Sequence, residues 1–438
     1  MDRWRGLKAL VHDAVDRTVD LVEEGHESAA RTALGVLKGA PGLAGPAEAI
    51  DALRRASTGV VLGTIRGVNR AIEHTTDAAL DAAGASPAAR GSDAIAMRSD
   101  TATSGAVVAD AAIGLLNGVV GDYLRDRRNG LDLGMALRLG DRYLPALGRE
   151  LADELRGVGP RLCVFVHGLG TTEWSWCLNA AEYHGDASAS FGTLLARDLG
   201  YTPLWLRYNS GRHVSENGRE LAARLQSLID AWPVPVGELL LVGHSMGGLV
   251  VRSACHYARE GGLPWPSHVR RVFCLGSPHQ GTALEKLGHV ATTVLSAIDV
   301  PGTQITARIA RARSAGIKDL RHGSLVDDDW LGKDPDAASD EGATQVPLLD
   351  AVAYHFVSAS ITRDPEHPLG QLVGDMLVRV PSASGPQTTR DAFAIETSHV
   401  GGVLHHQLQN HPDVYEQIRR ACAADAGAAP NAEPEASP

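Results

Sequence analysis

The run Leu239-Leu240-Leu241-Val242-Gly243-His244-Ser245-Met246-Gly247-Gly248-Leu249-Val250 constrains this chain more than any other stretch. An apolar segment of strand length ends in G-x-S-x-G, and an apolar pattern at helical spacing begins straight after it. Such a turn is too tight for side chains on either flank of the serine, which accounts for Gly243 and Gly247. The turn pushes the Ser245 hydroxyl out at the carboxyl end of a sheet. It also aims the first N–H groups of the following helix at any charge that develops there. A bare G-x-S-x-G arises often by chance. The strand before it, the helix after it and Gly248, which admits close helix packing, set this one against an ordinary strand-to-helix turn.

A nucleophile needs an oxyanion site, a base and an acid, and each has candidates. Val164-Phe165-Val166-His167-Gly168-Leu169-Gly170 is a second buried strand ending in a glycine-rich turn. Its position upstream of the elbow makes the backbone N–H groups of Leu169 and Met246 the expected oxyanion donors. The acid should follow the serine and precede the histidine. Asp375, after the apolar run Tyr354–Ala359 and directly before Met376-Leu377-Val378, fits that order. Asp350 precedes its strand, at the wrong end of a parallel sheet, and Asp364 sits in a loop just ahead of Pro365 and Pro368. For the base, His399, His405, His406 and His411 compete. His405 and His406 fit best, between Gly401-Gly402 and the helical pattern that starts near Val414. The same histidines read as a zinc site would lack a carboxylate or cysteine at ligand spacing, so no metal and no cofactor are expected.

Around this chemistry the chain alternates short apolar runs with helical patterns. The runs Leu162–Val166, Leu204–Tyr208, Leu239–Val242, Val272–Leu275 and Tyr354–Ala359 are near-continuously apolar, as strands covered on both faces are. Leu131–Leu139 is placed as an antiparallel hairpin at the front. The fold class expected is therefore α/β, a mostly parallel sheet flanked by helices, over about residues 130–420. Residues 1–125 are alanine-rich and helical in pattern, and the tail 422–438 has almost nothing to bury. Residues 283–345 are too long for a simple connection and are expected to form a cap, with Trp330 and Leu331 as candidates for its apolar lining. His167, Gly168, Trp174, Trp176, Tyr208 with the loop to His213, and His244 are expected to border the substrate pocket; for the aromatics, core packing is the competing reading.

Composition narrows the partners. A net charge of -11 gives no basic face for nucleic acid. Five scattered cysteines without a C-x-x-C pair indicate neither a disulfide framework nor a structural zinc, which favours a reducing, cytoplasmic compartment. No signal peptide or membrane-spanning helix is read. Trp4, Arg3, Arg5 and Lys8 could meet a lipid interface, but Asp13, Asp16, Asp20, Glu23 and Glu24 on the same helix argue against it. A helical bundle packed on the catalytic domain is the favoured reading of that region. Oligomeric state is not readable.

Together with Gly276-Ser277-Pro278-His279-Gln280-Gly281-Thr282 and Gly374-Asp375-Met376-Leu377-Val378, these motifs resemble bacterial α/β-hydrolase lipases and esterases related to the GPI inositol-deacylase alpha/beta domain. The resemblance implies a Ser245–Asp375–His405 triad that hydrolyses esters of small-molecule or lipid type. It selects His405 over His406, because such proteins carry a histidine six residues before a His-Pro pair followed by Val-Tyr, here His411-Pro412 and Val414-Tyr415. Met376 departs from the glycine or serine usual there. Leu116-Asn117-Gly118-Val119-Val120-Gly121-Asp122 is similar to the segment that precedes such domains, with no chemistry assigned to it. Acyl transfer by the same triad, and a non-catalytic scaffold built on the helical N-terminal region, are the rival functions.

Overall fold

In a computed structural model of the chain, residues 104–145, 149–281, 314–333, 344–360 and 395–423 are described. The chain divides into two compact units. One comprises Ala96–Arg125, Asp132–Ala297 and Ala312–Pro438 and holds every feature discussed below. The helical patterns before residue 104, Asp364, Asp375 and the greater part of the 283–345 segment lie outside the described residues.

Among the described residues, eight strands form one sheet: β1 (Met135–Leu139), β2 (Arg142–Tyr143), β3 (Arg161–Val166), β4 (Thr202–Tyr208), β5 (Glu238–His244), β6 (Val269–Leu275), β7 (Ala353–Ser360) and β8 (Ile395–Gly401). Their order is β2-β1-β4-β3-β5-β6-β7-β8. The β1–β2 hairpin is antiparallel and β1 runs antiparallel to β4, whereas β4 through β8 pair in parallel. This is the α/β class expected, a mostly parallel sheet with helices on both faces.

The helices are α1 (Ser104–Asp126), α2 (Arg149–Glu154), α3 (Ala180–His184), α4 (Phe191–Leu199), α5 (Val214–Ala231), α6 (Met246–Glu260), α7 (Ala315–His322) and α8 (Pro412–Ala423). Successive strand residues serve opposite faces, as a pleated backbone demands. Leu162, Val164, Leu239, Leu241, Val272 and Cys274 pack with α5 and α6 on one side. Cys163, Phe165, Leu240, Val242, Phe273 and Leu275 pack with Trp176, α4 and α8 on the other. All seven residues of β5 are buried. That double burial is why these strands read as unbroken apolar runs.

Two details differ from the sequence reading. β8 has no such run: its Glu396 and Thr397 are exposed, and among the described residues it pairs only with β7 and stands at the edge of the sheet. The boundary at 422 falls inside α8, which continues to Ala423 because Cys422 is buried against the α4 side and its carbonyl accepts from Arg161 at 3.1 Å. Among the described residues, no helix is long and apolar enough to cross a membrane.

Candidate active site

Ser245 joins β5 to α6 with φ 53° and ψ -123°, a left-handed conformation that a side-chain-bearing residue adopts at a cost. The neighbours leave no choice about the flanking glycines. A Cβ at position 247 would lie 2.1 Å from the Val166 carbonyl oxygen, and one at 243 would lie 2.5 Å from the Gly247 carbonyl carbon. The turn is also held from outside, as the Ser245 N–H donates to the Leu275 carbonyl at 2.8 Å. Met246 opens α6, and the next free turn of the helix is closed by Gly248 N–H donating to the Ser245 carbonyl at 3.1 Å.

The loop after β3 comes up against this turn: a Cβ on Gly168 would sit 3.0 Å from Ser245 Cβ. Leu169 and Met246, the expected oxyanion donors, thus belong to two segments that meet at the serine. His167 is wholly buried under the loop. Its Nδ1 lies 2.9 Å from the Gly168 carbonyl, which can only accept, so Nδ1 carries the proton and Nε2 accepts from Tyr208 N–H at 3.4 Å. Burial pulls its pKa down to about 4, which keeps the ring neutral and the tautomer constant. The Tyr208 hydroxyl donates to the His167 carbonyl at 2.8 Å, and the two rings stack at 4.4 Å. His167 and Tyr208, expected at the pocket, are therefore fully buried supports of the loop, while Trp174 is half-buried under the Arg138 guanidinium, 4.2 Å from its ring centre. Ser210, which the sequence reading passed over except as part of a loop, accepts the Gly170 N–H at 2.9 Å and so ties the loop after β3 to the end of β4.

The candidate histidines separate clearly. His405 opens a 3-10 turn, His405–Gln409, and its ring edge packs on Gly276, where a Cβ would lie 3.1 Å from Cε1. Gly276 directly follows Leu275, the residue that accepts the Ser245 N–H. His244, next to the serine, donates from Nε2 to the His405 carbonyl at 3.0 Å, and the two rings lie 4.7 Å apart. Burial, with the His405 ring beside it, holds the His244 pKa well below the ordinary value. His406 is exposed. His399 is not on a loop but in β8, where its ring spans Ser358 and Ser360 at 3.0 Å each. His411 caps the approach to α8. Asp375 lies outside the described residues; Asp350 stands before β7, away from the carboxyl ends of the strands. Among the described residues no group of histidine, cysteine and carboxylate side chains is placed to hold a metal ion.

Of the expected cap, residues 314–333 and 344–345 are described. The first of these stretches packs on the site rather than away from it. A Cβ on Gly316 would meet the Ser210 carbonyl at 2.2 Å and Met246 Cε at 2.9 Å. Trp330 stacks on His213 at 3.6 Å and donates to Ser215, while Leu331 is exposed. Asp319 of α7 caps α5: its carboxylate accepts Val214 N–H at 2.7 Å and faces His213 Nδ1 at 3.1 Å. Burial raises the Asp319 pKa, with His213 and the Val214 N–H pulling the other way. Asp319→Ala is expected to cost about 1–2 kcal/mol, measured by thermal melting, through the lost cap and an orphaned N–H.

Sequence reading also missed a buried charge cluster. Arg207 of β4 donates to Asp110 of α1 at 2.9 and 2.7 Å and to Glu173 at 2.7 and 3.0 Å. Tyr143 donates to the same Glu173, and Arg138 stands 3.7 Å from it. Glu173 begins the short helix that follows the loop after β3. Separately, among the described residues the Arg252 guanidinium of α6 bonds to the Val346 carbonyl at 3.0 Å and His279 Nδ1 at 3.2 Å.

Comparison with known proteins finds likenesses to one family model and to solved structures. Residues 164–339, less than half of the chain, match the family model of the PGAP1-like alpha/beta domain. Among solved structures, the mature lipase BlEst2 of Bacillus licheniformis is 17% identical, with 61% of this chain and 95% of that one covered at a TM-score of 0.39. An esterase of Pyrobaculum calidifontis is 16% identical, covering 62% of this chain and 78% of its own at 0.36. The RedJ thioesterase of Streptomyces coelicolor is 16% identical, covering 61% and 91% at 0.35. A search of curated proteins returns no match.

Proposed function

We propose that this α/β-hydrolase, related to the PGAP1-like alpha/beta domain, hydrolyses carboxylic esters through an acyl-enzyme on Ser245. His405 takes the proton as the serine oxygen attacks the ester carbonyl, and Asp375 orients the imidazole. The oxyanion receives the N–H groups of Leu169 and Met246; the alcohol departs with the proton; water then repeats the sequence on the acyl-enzyme. The observation that carries this reading is the elbow itself. A residue held at φ 53° between two glycines that nothing larger could replace stands where β3's loop meets α6's first turn, and His405 packs on Gly276, next in the chain to the Leu275 whose carbonyl accepts the Ser245 N–H.

A fluorophosphonate probe tests it, because it labels an activated serine and spares an ordinary one. The wild-type chain should be labelled at Ser245 by mass spectrometry and should turn over p-nitrophenyl esters. A wild type that does not react, or a Ser245→Ala variant that labels as strongly, contradicts the reading and leaves the scaffold function standing. Asp375→Asn with unaltered turnover would move the acid elsewhere. A series of esters of rising acyl length separates lipase from esterase behaviour, and product partition with an added alcohol or thiol separates hydrolysis from acyl transfer.

A further inference from the structure

Helix α1 supplies no reacting group, yet one face of it is built of glycines at the points where it meets the site. A Cβ on Gly114 would lie 2.8 Å from Thr172 Cγ2 and 3.1 Å from the Thr171 carbonyl carbon. One on Gly118 would lie 2.6 Å from Gly170 Cα and 2.7 Å from Gly170 N, and one on Gly121 would lie 1.9 Å from Asn209 Oδ1. Those neighbours are the oxyanion loop and the loop that follows β4. Glycine inside a helix costs about 0.5–1 kcal/mol relative to alanine, so three on one face need a reason, and close backbone approach is one.

The contact is also bonded. Asn209 donates to the Gly121 carbonyl at 2.8 Å, near Val120, where the helix departs from helical geometry (φ -133°). Asn117 accepts from Leu133 N–H at 3.0 Å, and Ser314 donates to the Gly118 carbonyl at 2.6 Å. Gly170 is therefore held from two sides: Gly118 of α1 lies against its backbone, and its N–H is bound to Ser210 Oγ. It has φ 68° and directly follows Leu169 in the chain.

We infer that α1 is a wall of the oxyanion hole, and that Gly118 and Ser210 are positioning residues that set the Leu169 N–H through the Gly170 backbone. The inference rests on the ester-hydrolase reading above. Any side chain at 118 meets backbone on the far side, so the loop has to move, and the donor one residue away moves with it. A displacement of this kind acts on the transition state, where the oxyanion exists, and hardly on the bound ester. Misplacement by about 1 Å is worth as much as 10²-fold in rate.

The full chain carries the test. Gly118→Ala and Ser210→Ala are compared with wild type and with Ala111→Ser, an exposed position on the same helix. The measurements are steady-state hydrolysis of a p-nitrophenyl ester, normalised to sites titrated with the fluorophosphonate, and the Ki of an aryl trifluoromethyl ketone, whose adduct bears the oxyanion. Both variants should lose about 10- to 100-fold in kcat per titrated site with KM within about 2-fold, and should bind the ketone more weakly by a similar factor. Ala111→Ser should match wild type throughout. If both site variants keep wild-type kcat per titrated site and wild-type Ki, α1 is packing only and the inference is wrong, even if their melting temperatures fall. A wild type that the probe does not label overturns the ester-hydrolase reading itself, and this inference with it.

Discussion

Ser245→Ala is expected to lower kcat for ester hydrolysis by about 10⁴- to 10⁶-fold while leaving the fold intact. The rate loss follows from removing the only group that the proposed mechanism makes covalent; what survives comes from the oxyanion donors acting on attack by water. The fold should survive because nothing else at the turn changes. Alanine inherits the φ of 53° and the same N–H bond to the Leu275 carbonyl, so the strain stays where it was. The melting temperature should therefore move little. Ser245→Gly makes the complementary case: just as inactive, but relieved of the left-handed penalty and more stable by about 1–2 kcal/mol. If the strain is a cost of presenting the hydroxyl, the two variants must differ in stability in that direction. His405→Ala should lose activity on the same scale, and the double variant Ser245→Ala with His405→Ala should lose scarcely more than either alone, since the two groups act as a unit. Losses that multiply would mean that the histidine serves some other step.

What the sequence could and could not reveal follows from the kind of force involved. Strands β3 to β7 are covered on both faces, and such strands write themselves as apolar runs. The elbow is legible because a turn that brings Gly247 within contact of the Val166 carbonyl forbids any side chain. Strand β8 is different. Among the described residues it lies at the edge of the sheet with polar residues facing out, so its Ile-Glu-Thr-Ser-His-Val pattern carries no such mark, and nothing in the sequence showed that His399, one of the competing bases, is a strand residue. The glycines of α1 were visible but pointed the wrong way: in sequence they weaken a helix, and only the loop seated on them shows what they admit. The supports of the site are pairings across long separations, Ser210 with Gly170 and Asp110 with Arg207, and single residues of this kind have no local period to betray them.

The Asp110–Arg207–Glu173 cluster yields the largest stability effect expected here. In the wild type, burial alone would push the Glu173 pKa up, but the Arg207 guanidinium and its hydrogen bonds overturn that and hold it below the usual carboxylate value. A depressed folded-state pKa contributes stability that is present above the ordinary carboxylate range and is lost as the pH falls through the depressed value. Arg207→Met removes the cation and keeps most of the volume. Two carboxylates are then left buried, with Arg138, at 3.7 Å from Glu173, as partial compensation. Removing one partner of a buried ionic group typically costs about 3–5 kcal/mol, because the remaining charge has no water to return to. The variant should melt well below wild type at pH 7. The sign of the pH dependence is the sharper prediction. Without the guanidinium, burial dominates and the Glu173 pKa rises, so the folded variant takes up a proton that the wild type refuses. The gap in melting temperature between the two should narrow as the pH falls from 7 towards 4.5, and a gap that is constant over that range would mean that Arg207 acts by packing rather than by charge. Asp110→Asn and Glu173→Gln added to Arg207→Met should recover much of the loss, since a neutral set of similar shape has no charge left to desolvate. Because Glu173 starts the helix that ends the oxyanion loop, and Asp110 belongs to α1, the rescued triple variant also separates two roles. Stability regained with turnover still impaired would show that the ionic cluster holds the loop in register, whereas full recovery of both would show that it holds only the fold.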